Sequence, residues 1–200
     1  MTEIVVASIG GSGSRMLAEM LSRATGRTRC NDEFCGDWHG HILHTHLPYN
    51  DERDKLGSDW KAVHIIGGIG NAICSFYEER ISAEIGFRLM GVKSEHIDKF
   101  MSMKEVEPID AWEYILDGDK LRWCTNIKSW RFAPNTLPVR YEALCADPHG
   151  VCNAISEHIG FDVPVINIVS RKSNWKRLPG VIQKSIEREY TKLKPYGITL

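Results

Sequence analysis

Apolar residues change their period along this chain, and each change marks an element. The run Ile-Val-Val-Ala-Ser-Ile at 4–9 is continuous, mostly β-branched and followed by glycines, the pattern of a buried parallel strand. From Arg15 the spacing turns helical: Met16, Leu17, Met20, Leu21 and Ala24 share one face, and Gly26 supplies a stop. Strand, glycine-rich turn and helix form the opening of a βαβ unit. Residues 27–41 show no clear period and read as loop; 42–47 read as a short strand stopped by Pro48. A second strand–turn–helix follows, with a strand at 62–66, the turn Gly67-Gly68-Ile69-Gly70 and a helix from Asn71. From about residue 78 to 130 the pattern is helical but broken, with Trp112, Trp123 and Trp130 scattered through it. Residues 137–141 predict another strand, whose Pro138 favours an end or an edge. Beyond Asp147-Pro148, the residues Val151, Ile155 and Ile159 mark an amphipathic helix closed by Gly160, and a last helix runs to about Lys192. No internal repeat, low-complexity segment or interdomain linker interrupts the series. The alternation predicts a single α/β domain over residues 1–200, three-layered, with a mainly parallel sheet and a phosphate-binding loop after the first strand.

Composition narrows the partners. A chain of 200 residues, 42% hydrophobic, can bury a full core. Its 25 Lys+Arg against 26 Asp+Glu give no electrostatic case for a nucleic-acid or membrane partner. No apolar run approaches the roughly 18 residues of a spanning helix. The start, Met1-Thr2-Glu3, lacks the basic region of a secretory signal, so a cytoplasmic protein is expected. On the same grounds Cys30, Cys35, Cys74, Cys124, Cys145 and Cys152 read as free thiols of a reducing compartment.

The segment Gly10-Gly11-Ser12-Gly13-Ser14 joins the first strand to the first helix. Glycines let a chain turn tightly and bring backbone N–H groups up to an anion, and the helix N-terminus adds unpaired donors and a positive dipole end. The Ser12 and Ser14 hydroxyls can donate to phosphate oxygens, and Arg15 can add charge; the alternative is a tight turn that holds no ligand. A Walker A loop (Gly, four residues, then Gly-Lys-Ser/Thr) does not occur. Gly11-Ser12-Gly13 begins a dinucleotide fingerprint, but Met16 stands where its third glycine belongs.

Taken with the rest of the chain, this segment resembles the sulfotransferases that use 3′-phosphoadenosine 5′-phosphosulfate (PAPS). Gly11-Ser12-Gly13-Ser14 and the helix that follows are similar to that family's 5′-phosphosulfate loop, and Thr45-His46-Leu47-Pro48 to the segment carrying its catalytic histidine. Val63-His64-Ile65-Ile66 followed by 71–77 resembles the strand and helix that bind the 3′-phosphate, with Ser75 at the serine position. Val139-Arg140-Tyr141-Glu142-Ala143-Leu144 with Asp147-Pro148 resembles a further family segment, and Arg171-Lys172 with Trp175-Lys176-Arg177 the C-terminal motif near the nucleotide. The matches fall in the family's order over nearly the whole chain. Three positions depart from it. The loop's basic residue is Gly11, the arginine eight positions before the serine is Gly67, and the aspartate between them is Asn71.

The resemblance implies a sulfotransferase-like fold and transfer of a sulfuryl group from PAPS to a hydroxyl or amine of a small-molecule or glycan acceptor, leaving adenosine 3′,5′-bisphosphate (PAP). It assigns His46 as general base, a role suited to a side chain that titrates near neutrality. The nucleotide would be held by Gly11, Ser12, Gly13, Ser14, Arg15, Ser75, Arg171 and Lys172, and Trp175 either stacks on adenine or belongs to the core. Returning a lysine to position 11 is expected to keep the fold and strengthen anion binding. Two other readings stand beside this one: a degenerate sulfotransferase fold that binds a nucleotide or another anion without catalysis, and a dinucleotide-dependent oxidoreductase. His39, His41, His44 and His46 follow Cys30 and Cys35 closely, and alternation puts His44 and His46 on one strand face. The spacing is not a common zinc pattern, and no metal is assigned.

Overall fold

The computed structural model describes residues 2–31, 39–165, 168 and 174–198. Five strands, β1 (Glu3–Ser8), β2 (Arg29–Asn31), β3 (Ile42–Thr45), β4 (Trp60–Ile66) and β5 (Thr136–Arg140), form one sheet in the order β2-β3-β1-β4-β5. Every pairing in it is parallel. The helices are, in chain order, α1 (Ser14–Thr25), α2 (Tyr49–Glu52), α3 (Ile69–Tyr77), α4 (Ala83–Leu89), α5 (Ser94–Val106), α6 (Pro108–Leu116), α7 (Trp123–Arg131), α8 (Tyr141–Ala146), α9 (Pro148–Ile159) and α10 (Gly180–Tyr190).

Alternation along the strands builds two faces. Ile4, Val6, Ile42, Val63, Ile65 and Val139 lie on one, covered by Leu17 and Leu21 of α1 and by Cys152, Ile155 and Ile159 of α9. Val5, Ala7, Leu43 and Ala62 lie on the other, under Trp130 of α7 and Tyr49 of α2. Because β1 and β4 are covered on both sides, their sequences are continuous apolar runs rather than alternating ones. A second body of core gathers α3, α4, α5, α6 and α10 around Phe76, Phe87, Phe100, Trp112 and Trp123. The three tryptophans of the broken helical stretch are therefore all buried packing residues.

The three-layer parallel architecture agrees with the sequence, with local differences. Residues 29–31, within the stretch read as loop, form the edge strand β2, which is too short to display a period. Helix α3 begins at Ile69, inside the glycine turn. Pro138 lies on β5, the opposite edge, where its missing N–H costs no ladder bond. Strand β3, not β2, pairs with β1, whereas the dinucleotide-binding order 3-2-1-4-5-6 places β2 there. Cys30 is disulfide-bonded, which corrects the reading of all six cysteines as free thiols; Cys74, Cys124, Cys145 and Cys152 are free. A cysteine count cannot tell which thiols the fold brings within bonding reach. No helix among the described residues is long and apolar enough to cross a membrane.

Candidate functional site

The turn after β1 depends on its glycines. Gly10, Gly11 and Gly13 have φ of 76°, 66° and 78°, a region that residues with a Cβ rarely enter. A Cβ on Gly13 would stand 2.7 Å from the Tyr141 ring, and one on Gly11 would stand 3.2 Å from the Cα of Ala72 in α3. A lysine at position 11 would therefore be strained, by the left-handed backbone and by the nearby α3 main chain. The turn at 67–70 lies against the first one. A Cβ on Gly67 would make ordinary contacts at 3.6 Å with Ser12 and Tyr141, so one tyrosine closes over both turns.

Both serine hydroxyls of the first turn are engaged within the protein. Ser12 Oγ donates to Gly10 O at 3.1 Å. Ser14 Oγ lies 2.9 Å from His44 Nε2, and His44 Nδ1 lies 3.1 Å from Asn31 Oδ1. The Asn31 oxygen can only accept, so Nδ1 carries the His44 proton and Nε2 accepts from Ser14. What the turn offers an anion is its backbone: no side chain caps the N-terminus of α1.

His46 follows β3, and Thr45 shapes its exit by accepting the Leu47 N–H at 3.0 Å while donating to the buried Glu52 at 3.2 Å. His46 Nδ1 lies 2.8 Å from Ser8 Oγ and 3.4 Å from Ser8 O. The Ser8 hydroxyl can donate or accept and the Ser8 carbonyl oxygen accepts, so both contacts hold the ring by Nδ1. Asn126 of α7 secures the arrangement from behind. Its Nδ2 donates to Ser8 O, His46 O and Leu47 O at 3.3, 2.9 and 3.0 Å, and its Oδ1 accepts from His64 Nε2 at 3.1 Å.

Gly11, Gly13, Ser14, Arg15 and His46 line one cavity of about 420 Å³, together with His44, Arg29 and Arg80. The ring centroids of His44 and His46 are 4.8 Å apart. No Asp or Glu is among the described lining residues. Glu19, outside the lining, pairs with Arg15 at 3.0 Å and with Arg29 at 3.8 Å, and Glu78 pairs with Arg80.

The remaining predicted residues lie elsewhere. Ser75 is buried in α3, donates to Asn71 O at 3.1 Å and is not among the described lining residues. Trp175 belongs to the helical core, pressed on Gly70, with Lys176 Nζ 3.7 Å from its ring centroid. Arg171 and Lys172 fall outside the described residues. At the second turn, Gly68 N–H already donates to a carboxylate, Glu142, at 2.8 Å. Sequence reasoning missed Ser8, Arg29, Arg80 and Asn126, which carry no motif and meet only through the fold. His44 alone was signalled, by its alternation with His46.

Burial pulls His44 from 6.5 down to about 3, helped by His46, Arg29 and Arg15. Burial also takes His64 to about 3, against the opposing bond to Asn126. Between those values the unfolded chain binds protons that the folded chain refuses, so the stability given by these two neutral rings is complete above pH 6.5 and falls as pH drops towards 3. Urea titrations between pH 7 and 5, where carboxylates contribute little, should show stability declining with acid; a flat profile would mean that both rings reach solvent.

No family model and no curated protein sequence matches the chain. Among solved structures, mouse sulfotransferase SULT7A1 complexed with PAP aligns over 98% of this chain and 88% of its own, with a TM-score of 0.57 at 14% identity. The chain has the sulfotransferase fold. Two retinol dehydratase complexes, one with retinol and PAP and one with androsterone and inactive cofactor PAP, also align over 98% of this chain and 67% of their own. Their TM-scores are 0.42 and 0.43, at 14% and 15% identity. Within the sulfotransferase fold of this chain, the glycine turn and His46 lie at the carboxyl ends of β1 and β3, the side on which open parallel sheets bind ligands.

Proposed function

We propose that the chain is a sulfotransferase that moves a sulfuryl group from PAPS to a hydroxyl or amine of a small-molecule or glycan acceptor, with His46 as general base. The observation that carries this reading is the shared cavity, which a glycine turn with left-handed backbone and the His46 ring line together. Its lining suits the anionic end of such a donor, with three arginines and no described carboxylate. When bound, PAPS would supply the activated sulfuryl group and a phosphate leaving group. The chain's task is then to align the acceptor, take its proton on His46 Nε2 and hold the charge left on the phosphate with N–H groups at the start of α1. Ser8 holds the His46 ring by Nδ1 and so orients it within the cavity wall.

Transfer of label from PAPS to an acceptor tests catalysis directly. PAP at about a hundred times its dissociation constant should add roughly 2.7 kcal/mol of stability. A thermal melt unchanged by millimolar PAP removes the donor assignment. A second reading, nucleotide or anion binding without turnover, is favoured by the other turn, where Glu142 takes the Gly68 N–H and Ser75 donates to its own helix. PAP would then raise the melt while no label moved. The strand order weighs against the oxidoreductase reading, which requires NAD(P) to raise the melt and PAP to leave it unchanged.

A further inference from the structure

We infer that Arg29 of β2 and Arg80 from the segment after α3 are the anion-binding cations of this cavity, supplying the charge that its glycine turn cannot carry. The turn gives N–H groups and no cation, and a side chain at Gly11 would meet a left-handed backbone and the Cα of Ala72 at 3.2 Å. The two serine hydroxyls of the turn donate to Gly10 O and to His44 instead. Charge must therefore come from the other walls. Arg15 is a poor source, since its side chain is 77% exposed and extends along α1 to Glu19. The Arg29 side chain is only 25% exposed, held in the wall beside Asn31 and His44. Arg15 and Arg29 share the carboxylate of Glu19, so among the described residues two guanidinium groups of this wall face one counter-charge. Arg80 enters the lining from the α3 side, with its partner Glu78 outside it. The same field helps to hold His44 neutral, because Arg29 and Arg15 both disfavour its protonated form. Guanidinium forks bind the paired oxygens of sulfate and phosphate groups better than point charges do. The ligand class is a small polyoxyanion of linked phosphate or sulfate groups.

This assignment deepens the sulfotransferase reading and rests on it for the name of the ligand, but binding of a bare oxyanion does not require that reading. The experiment is titration calorimetry on the full chain with inorganic pyrophosphate and, separately, with PAP. Arg29→Ala and Arg80→Ala should each weaken pyrophosphate by about ten- to a hundredfold, as expected for loss of charge-assisted bonds. Arg29→Lys should recover part of the loss, and Arg53→Ala, on the exposed surface beside Asp54, should change nothing. Urea titration of each variant separates lost binding from lost folding. Pyrophosphate affinity unchanged in folded Arg29→Ala and Arg80→Ala overturns the inference, as does a wild-type chain that binds no pyrophosphate. Arginine-dependent pyrophosphate binding with no PAP binding keeps the inference and removes the sulfotransferase reading.

Discussion

His46→Ala should lower turnover about 10²–10⁴-fold while leaving PAP affinity nearly intact. The expectation rests on how the ring is held. Ser8 Oγ and Ser8 O both face Nδ1 and fix the orientation of the ring in the cavity wall. Loss of that base removes a proton acceptor in the transition state and no contact made equally in the ground state. Ser8→Ala should reproduce a milder form, since the ring would keep its nitrogen but lose its orientation. Equal losses of binding and turnover in His46→Ala would mark the histidine as structural, and retained activity would exclude it as the base.

Asn126→Ala should cost about 3–5 kcal/mol of stability, the range for breaking a buried hydrogen-bond network with several partners left unpaired. One amide joins α7 to the exits of β1 and β3 and accepts from a fully buried imidazole. Truncation takes the Nδ2 donor from His46 O and leaves the His64 ring without its acceptor, and His64 Nδ1 already has no hydrogen-bond partner. Leu47 O keeps the Trp130 Nε1 donor at 2.8 Å, so the damage is concentrated at the buried His64 ring. Chemical denaturation reads the loss, and a change under 1 kcal/mol would mean that the stranded groups find new partners.

The frame of this molecule was legible in its sequence because periodicity reports burial directly. The runs that became β1 and β4, the amphipathic faces of α1 and α9 and the glycine stops at 26 and 160 all follow from local pattern. Half of the site was legible for the same reason: the glycine turn and His46 sit at element boundaries that the pattern locates. Arg29 and Arg80 were not, because each reads locally as an ordinary polar residue in a stretch without period, and only strand order and the α3–α4 connection bring them to the same cavity. Asn126 is a helix residue between Thr125 and Ile127 whose three carbonyl partners lie some eighty or more positions away. The strain that a side chain would meet at Gly11 was not legible either, because a sequence does not show φ.

The two glycine turns differ in how each would take a new side chain. Position 67 needs no left-handed backbone and has ordinary clearance for a Cβ, and the genetic code takes glycine to arginine by one base change. Position 11 has φ of 66° and would bring a Cβ to 3.2 Å from the Cα of Ala72, so any substitution there starts from strain. A single mutation therefore introduces a cation more readily at the second turn than at the first.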